Sequence, residues 1–323
     1  MNIVLIKSFS NKPWRSPETF QLIEKSLAKR WRVHSIETED PRELEIFIKR
    51  TIKHTNEKVF VFNIAEFLNE TKKQGFIPGL LDEWKIPHLG STAETVFLAM
   101  DKAKTKTLLK NKGIPTPQFF IAERIDSNLN AQAEKIGYPL FVKPLNEGGH
   151  IGIGDHSIVH NAEQLQSEIS NILQLYKEPA LVEEYINDAQ MREFSVGILC
   201  GEPTIFTPVE IDFDSVPTQS RILSFESAEE DLEKIKLINN LTVKESLIKL
   251  TQETFNAIGA SDYSRVDIRM NAKGYYVLEI NVMPGLGPHS FLPEAAQSIH
   301  GLSYEQLIQR LTEHSMRRQC MIN

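Results

Sequence analysis

Cysteine is scarce in this 323-residue chain. Cys200 and Cys320 stand far apart, and no Cys/His group has the spacing of a zinc site. A disulfide framework and a zinc-held fold are thereby excluded, and a reducing, cytoplasmic setting is expected. Basic charge is also in deficit: 36 Lys and Arg against 43 Asp and Glu leave a formal net charge of −7. Non-specific nucleic-acid binding needs the opposite balance, because a phosphate backbone is held by cations. No apolar run approaches the length of a membrane span, so no membrane partner is expected. Met1-Asn2-Ile3-Val4-Leu5-Ile6 reads as a buried first strand rather than a secretory signal. Internal repeats and low-complexity tracts are missing as well.

What is present is α/β patterning over a length typical of two or three lobes. Residues 1–100 read as a small α/β domain. Ile3–Ile6 and Val59–Phe62 are wholly apolar, the mark of parallel strands buried on both faces, and Val33–Ile36 is a third strand. Ser16-Pro17 opens a helix with Phe20, Ile23, Leu27 and Trp31 on one face. A second helix from Pro41 turns Leu44, Phe47, Ile48 and Ile52 inward. Residues 101–187 form a central lobe whose first helix is capped by Asp101. Lys102 and Lys104 oppose that helix's dipole, which asks for another reason for one of them. Residues 188–323 form the last lobe. There Thr242 is placed to cap a helix, with Glu245 completing a capping box. The polar stretch Asp212–Asn240 reads as a loop over a site, with Arg221–Phe225 its ordered part. Leu302–Leu311 is the last amphipathic helix, and the tail from Met316 is expected to fray.

The chemistry concentrates in Ser264–Ser290. Arg265, Asp267 and Arg269 alternate with apolar residues along one strand, Asn271-Ala272-Lys273-Gly274 supplies a turn, and Glu279 and Asn281 share a face of the return strand. A closed hairpin brings Asp267 near Glu279. Two carboxylates and an amide oxygen are hard ligands of the kind Mg²⁺ takes. Met283-Pro284-Gly285-Leu286-Gly287-Pro288 then leads away, with backbone N–H groups free to face an anion. Upstream, a strand delivers Lys143 just ahead of Asn146-Glu147-Gly148-Gly149-His150-Ile151-Gly152-Ile153-Gly154. That loop lacks the Gly-Lys-Ser/Thr of a P-loop and the glycine spacing of a dinucleotide fingerprint. On its own it is as often a plain hairpin; the strand lysine ahead of it points to phosphate.

These residues carry a resemblance. Arg265-x-Asp267, Leu278-Glu279-Ile280-Asn281-x-x-Pro284-Gly285 and His289-Ser290 resemble the C-terminal signature of ATP-grasp carboxylate–amine ligases, in the D-alanine–D-alanine ligase branch. The resemblance runs from about Gly75 to Ile308. It implies a mixed α/β and α+β chain: an ATP-grasp fold behind an N-terminal parallel-sheet, or pre-ATP-grasp, domain. It implies ATP and two ions of Mg²⁺ or Mn²⁺, held by Asp267, Glu279 and Asn281. Lys102 and Lys143 would meet the phosphates, and the loop with Glu147, Gly148 and Gly149 would close over them. Glu183 would accept from the adenine amino group, the backbone at Ile186 would meet the base edge, and Glu193 would hold the ribose. Arg265 and the N–H of Gly285 would form the oxyanion hole. Ser290, helped by Arg221 where the family has a lysine, would hold the acceptor's carboxylate. The reaction implied is an ATP-driven union of an amino-acid-type donor with an amino-acid or peptide acceptor through an acyl phosphate. A homodimer is the family's habit. His150 and His289 lie beside these motifs and are given no role.

The donor half departs from the family's pattern. D-Alanine ligases carry a glutamate after the first strand, a serine in the phosphate loop and a tyrosine in the covering loop, which together hold the donor's ammonium. The corresponding stretch here is Lys7-Ser8-Phe9-Ser10-Asn11-Lys12-Pro13, without an acid, and the other two positions align with Gly149 and Ile222. A buried ammonium without its carboxylate costs several kcal/mol. The departure leaves open a dipeptide ligase with another donor or a non-catalytic ATP-binding relative; a ligase for protein termini ranks lower. Glu66, near the end of the third strand, could substitute as the acid.

Overall fold

A computed structural model describes residues 1–10, 12–55, 57–215, 220–226 and 234–322. The expected covering loop therefore falls partly outside the described residues, at 216–219 and 227–233, as does Asn11 of the first turn. None of the described helices is long and apolar enough to cross a membrane.

The chain opens with β1 (Asn2–Ile6), α1 (Pro17–Ala28), β2 (Arg32–Ile36), α2 (Pro41–Thr55) and β3 (Val59–Phe62). β2 and β3 flank β1 in parallel, with Ile3 opposite both Val33 and Phe60. All residues of β1 and β3 are buried, as their unbroken apolar runs require. Ser16 caps α1, its Oγ accepting from Thr19 N at 3.2 Å. On α2, Leu44 and Ile48 are buried but Ile52 is 37% exposed. Each step of four residues overshoots a full turn by about 40°, so the stripe drifts off the sheet and Thr51 takes the inward place.

A small hairpin, β4 (Phe67–Asn69) and β5 (Gln74–Phe76), is followed by α3 (Ile77–Glu83), α4 (Ala93–Met100) and α5 (Lys102–Asn111). Asp101 caps α5 as expected, accepting from Lys104 N at 2.9 Å. The central sheet is antiparallel in the order β6 (Phe119–Ala122), β9 (Ala180–Glu184), β7 (Leu140–Pro144), β8 (Ile158–Val159). Its apolar face packs on α6 (Leu129–Ile136) and α7 (Ala162–Leu175) through Ala133, Val142, Leu165 and Ile169.

The last sheet holds β10 (Arg192–Leu199), β11 (Ile205–Ile211), β12 (Ile235–Leu237), β13 (Tyr263–Asn271) and β14 (Gly274–Asn281), all antiparallel, in the order β12-β11-β10-β13-β14. β12 is a three-residue strand inside the stretch read as loop; so short a segment shows no period. α8 (Leu241–Ile258) is capped by Asn240, whose Oδ1 accepts from Val243 N at 3.1 Å. Thr242 thus lies in the first turn rather than before it, the stronger capping residue having set the boundary. α9 (Phe291–His300) and α10 (Tyr304–Arg318) complete the chain.

The expectation of a frayed tail is corrected. Met316 is fully buried and Met321 nearly so. α10 docks on α1, with Gln309 Nε2 donating to Ser26 O at 3.1 Å and Arg30 paired to Glu313. One core therefore joins Ile3, Leu5, Phe20 and Phe60 of the first sheet layer to Tyr263, Leu292, Leu311 and Met316 of the last. Arg318 closes the same seam: it holds the buried Asp262 carboxylate at 2.7 and 3.0 Å, and Gly90 N donates to that carboxylate at 2.8 Å.

Candidate active site

The β13–β14 hairpin closes as its turn suggests. Asn271 pairs with Gly274, Asp267 lies opposite Glu279, and Arg265 lies opposite Asn281, with an irregularity between Asp267 and Ile268. The two acids and the asparagine converge: Asn281 Nδ2 is 3.1 Å from Asp267 Oδ2 and 3.3 Å from Glu279 Oε1. Arg265 grips Asp267 at 2.9 and 2.8 Å, and Ser195 Oγ donates to it at 3.1 Å. Burial alone would raise the Glu279 pKa, but Lys102, Lys143, His150 and Arg265 outweigh it and hold the carboxyl down to about 2. Glu279 is therefore an anion at any physiological pH. The donor set fits a divalent cation: two carboxylates and an amide that presents its oxygen on a half-turn.

Cations face this cluster from the central lobe. Lys102, buried at the start of α5, donates through Nζ to the Glu147 carbonyl. Lys143 on β7 reaches Glu183 Oε1 at 2.7 Å. The other oxygen of Glu183 is held at 2.9 Å by Lys106, which also donates to Thr116 Oγ1 at 2.8 Å. Burial, with Lys143 adding to it against the pull of Glu183, lowers the Lys106 pKa to about 8. For Lys143 burial pulls down, but Glu183 and Glu279 win and raise it. Sequence reasoning missed Lys106, although the signal was there. It is four residues after Lys102 and so shares its helix face, whereas Lys104 points out and pairs with Asp101 at 2.9 Å.

Glu183, Ile186, Glu193 and Ile222 line a narrow cleft of about 70 Å³ between the central and last sheets. Glu193 faces Arg269 Nε at 3.3 Å, and the Arg269 guanidinium lies over the Tyr185 ring at 5.0 Å. A larger cavity of about 910 Å³ adjoins it, walled by Lys102, Glu147, Gly148, Gly149, Arg265, Asn281, Gly285 and Ser290. Gly149 has φ +62, a left-handed turn that lets the loop double back. His150 and His289 also face the cavity.

Arg221 stands apart. Its side chain is exposed, lies over Phe213 at 5.8 Å, and lines neither space; its carbonyl accepts from Arg269. Ser290 begins α9 without using its hydroxyl as a cap. Its Oγ lies 3.1 Å from where a Cβ would stand at Gly285 or at Gly287.

The first lobe contributes an arm, Lys12–Arg15, of which the sequence showed only Lys12 and Pro13, as part of a turn without an acid. Arg15 is buried and paired with both Glu66 and Glu70. Glu66, the possible substitute acid, is thus already committed. Trp14 packs on the loop after β14: a Cβ at Gly285 would meet its Cβ and Cγ at 2.9 Å, and one at Gly287 its Cα at 2.8 Å.

Residues 108–313 match the family model described as D-ala D-ala ligase C-terminus. An uncharacterized protein of Sinorhizobium fredii, y4sG, is 32% identical over 263 residues, 80% of this chain and 75% of that protein. A D-alanine–D-alanine ligase of Pseudomonas putida is 31% identical over 255 residues, 76% of this chain and 73% of the relative. The solved D-alanine–D-alanine ligase from Bacillus anthracis complexed with ATP superposes with a TM-score of 0.74 at 23% identity, over 99% of both chains. The fold is ATP-grasp, and the molecule is a ligase of the ADP-forming class that makes C–N bonds. The chain belongs to the D-alanine–D-alanine ligase family.

Proposed function

We propose that the protein joins the carboxylate of a small acid to the amine of an amino-acid acceptor, cleaving ATP to ADP through an acyl phosphate. The observation that carries this reading is the convergence of Asp267, Glu279 and Asn281 on one point, with the buried Lys102 and Lys143 charges acting on Glu279. A carboxylate oxygen is a poor leaving group, so the donor must first take the γ-phosphoryl group; ADP leaves, the acceptor amine attacks the acyl carbon, and phosphate departs. Bound Mg²⁺ or Mn²⁺, as a pair of ions, would neutralise the phosphate charge that builds up during transfer. Asp267, Glu279 and Asn281 would hold it.

Lys102 and Lys143 would hold phosphate oxygens from the opposite side, with the backbone of Glu147, Gly148 and Gly149 closing over them and keeping water out. Glu183, Ile186 and Glu193, which line the narrow cleft, are assigned to adenine and ribose. Arg265 and the Gly285 N–H are assigned to the oxyanion, a kind of donor whose loss costs about 3–4 kcal/mol in the barrier. The free Ser290 hydroxyl suits the acceptor's carboxylate. Arg221 joins it only if its segment swings away from Phe213. The need for ATP places the work in the cytoplasm, and we carry the family's homodimer as the expected assembly.

The test is phosphate release from ATP with Mg²⁺, using a panel of amino acids and simple carboxylic acids as donors and D- and L-amino acids as acceptors. Release should depend on both partners and give a condensed product by mass. Asp267→Asn should lower it at least ~10²-fold. ATP turnover with no partner set, or an Asp267→Asn variant as active as wild type, would overturn the reading.

A further inference from the structure

The cavity contains a cation that the reaction above does not use. Lys12 Nζ lies 5.5 Å from the centre of the Trp14 ring, and a Cβ at Gly149 would come within 3.1 Å of it. The lysine thus fills the space that a side chain at 149 would need. Burial depresses its pKa first, and the neighbouring Arg15 depresses it further. Three carboxylates act on it from nearby: Glu66, Glu70 and Glu147. Each is engaged elsewhere. Glu66 and Glu70 are bound by Arg15, and Glu147 by Lys73 at 2.8 Å. Among the described residues no carboxylate lies within 4.0 Å of Lys12 Nζ; the other acids at the rim, Glu18 and Glu39, are exposed to water. A half-buried ammonium beside a reaction cavity, with its local acids already taken, is a site for an anion.

Trp14 sets the geometry of that site. The Cβ end of its side chain packs on Gly285, whose N–H is assigned to the oxyanion, and Arg265 and Ser290 wall the same cavity. The far edge of the indole, Cζ2 and Cη2, lies 3.5 and 3.7 Å from a Cβ at Gly149, next to the Lys12 ammonium. One indole length therefore separates the acyl site from the free cation, about the span of a short dicarboxylic acid laid along the ring. Arg15, itself buried, anchors the arm to Glu66 and Glu70, which holds Lys12 and Trp14 against the cavity.

We propose, resting on the ligase reading, that Lys12 recognises the donor, and that the donor is a short acid with a second anionic group at the place where D-alanine ligases hold an ammonium. One carboxylate takes the γ-phosphoryl group, with ADP leaving; the other pairs with Lys12 and is not consumed. An α-ammonium at that place would meet a like charge, since the acids that could balance it belong to Arg15 and Lys73.

Hydroxylamine provides the test, because it captures an acyl phosphate as a hydroxamate without any acceptor amino acid. Wild-type protein with ATP and Mg²⁺ is assayed on succinate, propionate and D-alanine. Succinate should exceed propionate and D-alanine at least ~10-fold in kcat/KM, the worth of one partly desolvated ion pair. Lys12→Met should erase the succinate-to-propionate preference, and Lys12→Arg should keep most of it. D-Alanine serving as well as succinate, or Lys12→Met leaving the preference unchanged, would overturn the donor assignment while the ligase reading stands. Hydroxamate from none of the three acids would overturn the donor assignment, and none from the wider panel of amino acids and carboxylic acids, with no ADP formed, would overturn the ligase reading as well.

Discussion

Replacing Glu183 by Gln keeps the shape of the side chain and removes one buried negative charge. That charge serves two ammonium groups, Lys143 at 2.7 Å and Lys106 at 2.9 Å. At such separations an effective dielectric of about 20 gives roughly 6 kcal/mol of attraction per pair before desolvation is counted. Breaking a buried pair by deleting one partner leaves a net loss of about 3–5 kcal/mol, which is the deficit expected for Glu183→Gln at pH 7. Lys106 has an escape, because it can shed its proton. A lysine whose folded pKa lies below its unfolded value of about 10.4 binds fewer protons folded than unfolded, so stability rises with pH between the two. In the wild type that rise begins at about 8. Glu183 is the main group holding that pKa up, so without it the rise begins at a lower pH. Between pH 7 and pH 9 the variant should therefore regain more stability than the wild type, and the deficit should shrink. Urea unfolding of both proteins at the two pH values measures this directly. A deficit below about 1 kcal/mol at pH 7, or one that grows toward pH 9, would refute the picture of two lysines sharing one carboxylate.

Gly285→Ala puts a methyl group 2.9 Å from Trp14 Cβ and should displace the arm or the loop; activity should fall, and the double variant with Trp14→Gly should recover part of it, as steady-state kinetics would show. Asp262→Asn tolerates the left-handed φ of +64 but strips Arg318 and Gly90 of their shared anion; urea unfolding should record a loss of about 1.5–3 kcal/mol. Met316→Ala should cost about 2–5 kcal/mol by the same method, since the side chain is fully buried in the joint core; a loss near zero would restore the frayed tail.

The hairpin was legible because its geometry is local. A four-residue turn joins the strands and fixes the register as far as Ile268 opposite Val277; a shift of one residue between Ile268 and Asp267, which the turn does not announce, then sets Asp267 against Glu279. The all-apolar strands were legible for the same reason. Lys12, Trp14 and Arg15 were not, because their partners are remote: Glu66 is 51 residues from Arg15, and Gly285 is farther still. No spacing rule reaches that far. Met316 was hidden by its polar neighbours Ser315, Arg317 and Arg318, two of which prove to face the seam rather than water. Arg221 was placed beside Ser290 by alignment with a lysine, and the structure leaves it over Phe213. Flanking residues 216–219 carry no regular period that could have fixed its direction.

The union of α10 with α1 has a mechanical result. The last helix is bolted to the first, so the Lys12–Arg15 arm, which leads into α1, and the acid-bearing hairpin are tied to one shared core. The sheet carrying Lys143 is built on a core of its own and takes no part in that joint, so the spacing between arm and hairpin does not hang on it.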